Sequence, residues 1–254
     1  MKKKIIKQII FYSALLILWQ VVVQLKFWPG YIFPSPFKVF ETIIAGFKDL
    51  SFLIAIGVSL KRLFIGYGIS IIFGFTLGIL ISKFKFMEET VGGLVLGLQT
   101  LPSICWLPLA LLWFGLHEQA IIFVVIMGAL FSITIATESG IRNVSPAYIK
   151  AGRNMGAKRT TLFLELIIPA ALPYIISGLK QGWSFAWRSL MAGELLFGNL
   201  GLGYLLLMGR ELNDMSQVIA VMLMITLISL LIDKLVFGRI EYNIRRRWGV
   251  GKGI

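Results

Sequence analysis

An all-α integral membrane protein with six transmembrane helices is the fold class that three features of this sequence predict. Mean hydropathy is +0.85, and only 15% of the 254 residues are charged, where a soluble domain carries roughly a quarter. Six apolar runs approach the ~20 residues that a helix needs to cross the hydrocarbon of a bilayer. The basic residues are sorted unevenly among the segments joining those runs. Too little polar surface is left for a soluble domain, so lipid is the natural solvent. The net charge of +13 points to nucleic acid or to membrane. Its clustering between apolar runs selects the membrane and leaves no nucleic-acid face. One cysteine, Cys105, excludes an intrachain disulfide and a cysteine metal cluster.

The first span, residues 5–25, follows Met1-Lys2-Lys3-Lys4 and is interrupted only by Lys7. Its apolar core is longer than that of a signal peptide, and Lys26 stands where a small-residue cleavage site would be, so a retained helix is expected. Phe33-Pro34-Ser35-Pro36 then breaks the chain, and Phe37–Phe47 reads as a short helix on the membrane surface. Such a helix either packs on the bundle or receives a partner. The second span, residues 63–82, carries Gly66, Gly68, Gly74 and Gly78, which suit close helix packing.

The third span, residues 91–114, contains Pro102 and Pro108, each of which removes a backbone hydrogen bond. The prolines make either a hinge or gate, with Trp106 and Trp113 as plugs, or a static kink. Cys105 between them reads as a small buried apolar residue. The fourth span, residues 120–137, has no charge, and His117 beside Glu118 reads as a solvated residue at the preceding turn. The fifth span, residues 172–197, holds Lys180, Arg188 and Glu194, and the sixth, residues 215–237, has Asp233 and Lys234 near its end. No internal repeat or low-complexity segment appears, and residues 1–254 are expected to form one transmembrane domain.

Lys and Arg in the connections set orientation. With the N-terminus inside, seventeen of the 25 basic residues fall in or beside inner segments and six in outer ones, with Lys180 and Arg188 inside the fifth span. Both termini and the 138–171 connection are therefore expected in the cytoplasm. Trp28 and Trp113 then fall near the outer interface and Trp248 near the inner one, as in an aromatic belt.

The connection over residues 138–165 is built rather than merely basic. Ser145 is a good N-cap and Pro146 suits the first helical position, so a short helix from Pro146 to about Met155 is predicted. Gly156 suits a left-handed stop. A second helix starts near Arg159, with Leu162, Phe163 and Leu166 on one face. Ala151 and Gly152 are small enough to let another surface approach, while Lys150, Arg153, Lys158 and Arg159 supply positive charge. The residues alone allow two roles, a loop that only fixes topology or a docking surface.

Gly156, nine intervening residues and Leu166-Ile167-Ile168-Pro169 resemble the cytoplasmic Glu-Ala-Ala loop of ATP-binding-cassette importer permeases. Lys150-Ala151-Gly152 sits where that family has Glu-Ala-Ala, and two of the three positions depart from it. The resemblance continues through Pro169 to Pro173, Gly178 to Trp183, Trp187 and Glu194. Leu101-Pro102, Trp106 to Pro108, Trp113-Phe114-Gly115, Phe33 to Pro36 and Ser59 to Arg62 resemble its nitrate/sulfonate/taurine subfamily. The resemblance implies a type I importer permease fold with a cytoplasmic coupling helix, in a bacterial cell membrane. It also implies two permease copies, two cytosolic ATPases bound at the 138–165 loops, and an extracytoplasmic binding protein. Lys150, Ala151, Gly152, Arg153, Gly156, Ala157, Leu166 and Pro169 become the implied ATPase contact region. ATP and Mg2+ would be held by the partner ATPase and no cofactor by this chain. This fits a sequence without a Gly-x4-Gly-Lys-Ser/Thr loop.

Charges at membrane depth cost roughly 2.5–3.5 kcal/mol on insertion scales and usually face protein or water. Lys180, near the inner end, is expected to snorkel. Arg188 and Glu194 lie about 120° apart around a helix and are not natural partners. Arg188 either faces the translocation path and meets an anionic substrate, or forms a structural ion pair with another helix. Together Pro102, Trp106, Pro108, Arg188 and Glu194 are the candidate pore and gate residues. The expected function is import of a small anion such as nitrate, taurine or an aliphatic sulfonate, with a thiamine precursor or other small nutrient as the alternative. A stand-alone channel or ion-coupled carrier leaves the docking loop unexplained. A membrane enzyme is disfavoured by one His, one Cys and no carboxylate pair on a helix face.

Overall fold

The computed structural model describes residues 2–247; the expectation for Trp248 lies outside them. The described residues form helices and connections without strands. Five helices are long and apolar enough to cross a membrane, and a bent helix pair makes a sixth candidate span. In chain order the helices, spanning or not, begin with α1 (Lys2–Gln24), α2 (Pro36–Lys48), α3 (Ser51–Lys83), α4 (Lys85–Gln99), α5 (Leu107–Phe114), α6 (Glu118–Arg142) and α7 (Pro146–Asn154). Helix α8 begins at Arg159, passes through a π-turn at Leu162–Ile167 and continues over Ile168–Phe197. A short α9 (Leu202–Glu211) precedes α10 (Met215–Ile232), which runs through a π-turn at Asp233–Phe237 into α11 (Gly238–Arg247).

The helices extend past the apolar runs. Helix α3 has 33 residues, about 50 Å at 1.5 Å per residue, against ~30 Å of hydrocarbon. It starts at Ser51 rather than near residue 63, so Lys61 and Arg62 are helical. Their charges do not end the helix because Glu118 accepts from Arg62 Nε at 3.1 Å and from Lys61 Nζ at 3.3 Å. The helix that opens near Arg159 merges directly with the fifth span. Pro169 lacks an N–H, and its ring crowds the carbonyl four residues back; the wider π-turn ends just before it.

The chain divides into two compact units. One takes the residues up to Ser59 together with Glu194–Leu227. In it, Trp19 Nε1–H donates to the Pro34 carbonyl at 3.1 Å, and Phe33 lies against Trp19 and Trp28. Helix α2 is capped by Ser35, which accepts from Lys38 N–H at 3.3 Å. Val39 and Gly46 are its buried positions, whereas Phe37, Phe40, Ile44 and Phe47 form an exposed apolar stripe. Asp49 caps the next turn, accepting from Ser51 N–H at 2.9 Å, and its bonds to Ser51 hold its carboxyl below the usual range.

The other unit takes Leu60–Gly193 and the residues from Ile228 on. Its core is α6, which buries Ile121, Val124, Val125, Ala129 and Ile133 among others. Glycines from both neighbouring helices meet it. On α3, a Cβ at Gly66 would lie 2.7 Å from Val125, one at Gly74 3.0 Å from Ile133, and one at Gly78 2.6 Å from the Thr134 carbonyl. On α8, a Cβ at Gly178 would meet Ala136 and one at Gly182 would lie 2.9 Å from Ile133. Without a water-driven hydrophobic effect between helices, such backbone proximity is what gains dispersion contact. The expected packing role of the α3 glycines holds at Gly66, Gly74 and Gly78, while Gly68 faces open space.

Several single residues depart from expectation. Cys105 is exposed, not buried, because it sits on the one-turn 3-10 helix Ser103–Trp106 outside the packed helices. Pro108 lies in the first turn of α5, where no intrahelical bond is lost, so only Pro102 marks the break. Lys180 does more than snorkel, since its Nζ is 3.2 Å from Asp233 Oδ2.

Candidate functional site

The segment around α7 is stapled at both ends by local chemistry. Ser145 Oγ accepts from Ala147 N–H at 3.3 Å, and Pro146 occupies the first turn of α7. At the other end Gly156 has φ +83°, the left-handed conformation that favours glycine. Gly156 N–H donates to the Arg153 carbonyl and Ala157 N–H to that of Gly152, both at 3.0 Å. These two bonds are the Schellman pair, which satisfies the last helical carbonyls and turns the chain sharply.

That turn folds α7 back on the start of α8. Gly152 is buried, and a Cβ there would lie 2.8 Å from the methyls of both Leu162 and Leu166. The surface for which Gly152 makes room is therefore this chain's own. Leu162 is buried, while Leu166, with Ile149, packs on the cluster of Val144, Ala171 and Ile175. Pro169 is half-buried one turn further on. Lys150, Ala151 and Arg153 are exposed, joined by Tyr148 and by Met155, which is 88% exposed. The result is a basic surface with two large apolar side chains, held rigidly from beneath. Sequence reasoning missed Tyr148 and Met155; their outward position follows only once Gly152 fixes which face is inward.

At the end of α6, Arg142 ties this region to α4. Its Nη2 is 2.5 Å from Glu88 Oε1 and its Nη1 is 3.0 Å from Glu138 Oε1. Glu88 opens the π-turn Glu88–Gly92, and Arg142 is three residues from the cap of α7.

The third span is broken. Helix α4 and the stretch Ser103–Phe114 meet at 105° across the residues around Pro102. Trp106 is half-buried and its ring lies 6.4 Å from Phe123 and 6.3 Å from Phe131. Trp113 is exposed and packs on Phe123 at 5.6 Å. Arg188 faces a recess of about 280 Å³ lined by residues of the break and by Phe185 and Phe131. Its Nε–H donates to the Ser184 carbonyl at 3.2 Å, and its guanidinium carbon is 4.8 Å from the Phe185 ring centre.

Glu194 occupies a different setting. It is completely buried. Ser59 Oγ lies 2.9 and 2.8 Å from the two carboxylate oxygens, and Gly203 N–H donates to Oε2 at 3.0 Å. Ser59 Oγ in turn accepts from Leu202 N–H at 2.9 Å. Leu202 and Gly203 are the first residues of α9, whose N-terminal N–H groups have no intrahelical partner. A carboxyl group from α8 and a hydroxyl from α3 thus cap α9 from a distance. Gly201, at φ +128°, passes so close that a Cβ would lie 2.5 Å from the carboxylate.

Comparison with known proteins accords with this geometry. Residues 70–248 match the family model described as the inner membrane component of binding-protein-dependent transport systems. A putative ABC transporter permease of Methanocaldococcus jannaschii is 37% identical over 70% of this chain and 67% of its own length. The nitrate import permease of Synechocystis sp. is 29% identical over 92% of this chain and 87% of its own. A putative aliphatic sulfonates transport permease of Escherichia coli K12 is 30% identical over 85% and 82% respectively. Among solved structures, an amino acid ABC transporter aligns with a TM-score of 0.66 at 18% identity, covering 79% of this chain and 96% of that one. The fold is that of the type I ABC importer permeases. The chain belongs to the family of binding-protein-dependent transport system inner membrane components.

Proposed function

We propose that this chain is the membrane-spanning subunit of an ATP-driven importer for a small anion of the nitrate and aliphatic sulfonate class. It works as a pair of copies with two cytosolic ATPases and an extracytoplasmic binding protein, and it hydrolyses nothing itself. The observation that carries the reading is the α7 segment. Its N-cap, Schellman stop and buried Gly152 hold a basic surface carrying Tyr148 and Met155 rigidly outward. A loop that only fixed topology would need the charges but not the staples. Nitrate and aliphatic sulfonates transport permeases among the relatives support the anion class. The departure at Lys150 makes the ATPase contact one of packing and positive charge rather than of an acidic residue.

Co-purification of the partner ATPase tests this. Gly152→Val places methyl groups against Leu162 and Leu166 and levers α7 off its bed. Retention of the ATPase is expected to fall at least ~5-fold, about 1 kcal/mol of binding, while the chain stays in the membrane. Full retention with Gly152→Val and with residues 146–158 replaced by a flexible linker would remove the docking role.

A further inference from the structure

The recess at the break of the third span has a chemistry that the docking surface does not explain. Membrane-depth cations are costly and normally meet an acid or water. In this unit Arg62 faces Glu118, Arg142 faces Glu88 and Glu138, and Lys180 faces Asp233. Among the described residues of the chain, no carboxylate lies within ion-pair distance of Arg188. Its side chain is nonetheless held in place. The Ser184 carbonyl takes the Nε–H and the Phe185 ring covers one face. Those two contacts orient the guanidinium and leave its Nη1 and Nη2 donors without a hydrogen-bond partner among the described residues, on a side chain that lines the recess.

The opposite wall is made by the helix break. A chain broken at membrane depth must have its backbone groups met by protein or by a wet cavity. Here it also brings Gln99, Thr100 and Ser103 to the recess. Thr100 Oγ1–H donates to the Gly97 carbonyl at 2.7 Å, leaving its oxygen as an acceptor. The side chains of Gln99 and Ser103 have no hydrogen-bond partner among the described residues and offer N–H and O–H donors. Met127, Phe131 and Phe185 supply apolar walls. At about 280 Å³ the space lies just below the range of pockets for drug-sized molecules.

We propose that this recess is a resting site for the transported oxyanion, with Arg188 gripping its oxygens through the guanidinium fork and Gln99 and Ser103 donating to the remainder. The inference rests on the importer reading above and adds the place where substrate meets this chain. A planar or tetrahedral oxyanion matches a fork of parallel N–H donors, which a lysine ammonium does not reproduce. A trigonal nitrate and a sulfonate head group share that chemistry. A cation or an uncharged nutrient such as a thiamine precursor does not.

The test uses the whole assembly of permease, ATPase and binding protein in sealed vesicles, with isotopic nitrate and taurine as separate probes. Arg188→Gln is expected to lower uptake of the transported anion at least ~10-fold. Arg188→Lys, which keeps the charge but not the fork, is expected to fall between that and the parent chain. Whichever probe the parent chain imports identifies the source of the oxyanion. Loss of ATPase co-purification in the parent chain would count against the importer reading itself. Retained assembly with Arg188→Gln uptake within twofold of the parent would overturn the site alone. Should Arg188→Gln fail to assemble, Gln99→Leu and Ser103→Ala provide the measurement; uptake unchanged in both would overturn the site, and a loss of at least ~3-fold in either would support it.

Discussion

Replacing Glu194 by Ala removes the group that caps α9 from the core of its unit. Among the described contacts, two buried donors lose their acceptor, the Ser59 hydroxyl and the Gly203 N–H. Each unsatisfied buried donor costs roughly 1–3 kcal/mol, so about 4 kcal/mol in all is a central expectation. For a chain of this size, each kcal/mol moves the melting temperature by about 2–4 °C. The Ala variant should therefore melt about 8–16 °C below the parent. Glu194→Gln keeps one oxygen but turns an N–H2 toward one of the two donors, so about half that shift is expected. The measurement is a melting curve of the detergent-purified chain, followed by the fluorescence of its seven tryptophans. Proteolysis across residues 198–214 should accelerate in parallel, because that is where the cap acts. An Ala variant melting within ~1 °C of the parent, or Gln and Ala variants indistinguishable from each other, would refute the capping argument.

The other predictions concern packing and exposure, beside those given for Gly152 and Arg188. Gly78→Leu sets a Cβ 2.6 Å from the Thr134 carbonyl and 2.7 Å from the Thr137 side chain. Backbone cannot yield there, so a destabilisation of about 3 kcal/mol or more is expected, read as lost yield of folded chain. Gly68→Leu, facing open space, is the control and should be tolerated. Cys105, the single thiol and exposed, should be alkylated by a small maleimide in the folded protein within minutes. Reaction only after denaturation would place it back in the core.

What was legible in the sequence was local. Ser145-Pro146 and Gly156 announce the ends of α7 because a cap is satisfied by residues two to five positions away. The glycines of α3 announced a close approach but not the helix approached, since that partner lies more than 50 residues on. Glu194 was visible as an expensive charge, yet its partner Ser59 is 135 residues distant, and no periodicity connects them. For the same reason α9 went unread, because its cap comes from other helices rather than from the residue before it. The helix extensions of α3 and α4 are hidden because charged residues look like span ends until their partners are known, and that of α8 because Pro169 looks like a break until the π-turn before it is seen. Lys61 and Arg62 with Glu118, and Arg142 with Glu88, keep those charges inside helices.

The π-turns at Glu88–Gly92, Leu162–Ile167 and Asp233–Phe237 have a mechanical meaning. Each carries one residue more than an α-turn would over the same rise. If such a turn tightens to α geometry, everything beyond it rotates by about 100° and advances about 1.5 Å. In α8 the turn lies between the stapled α7 segment and the stretch that bears Arg188. Tightening of that turn would convert a small axial displacement into a swivel between the two ends of the helix. They need not turn together.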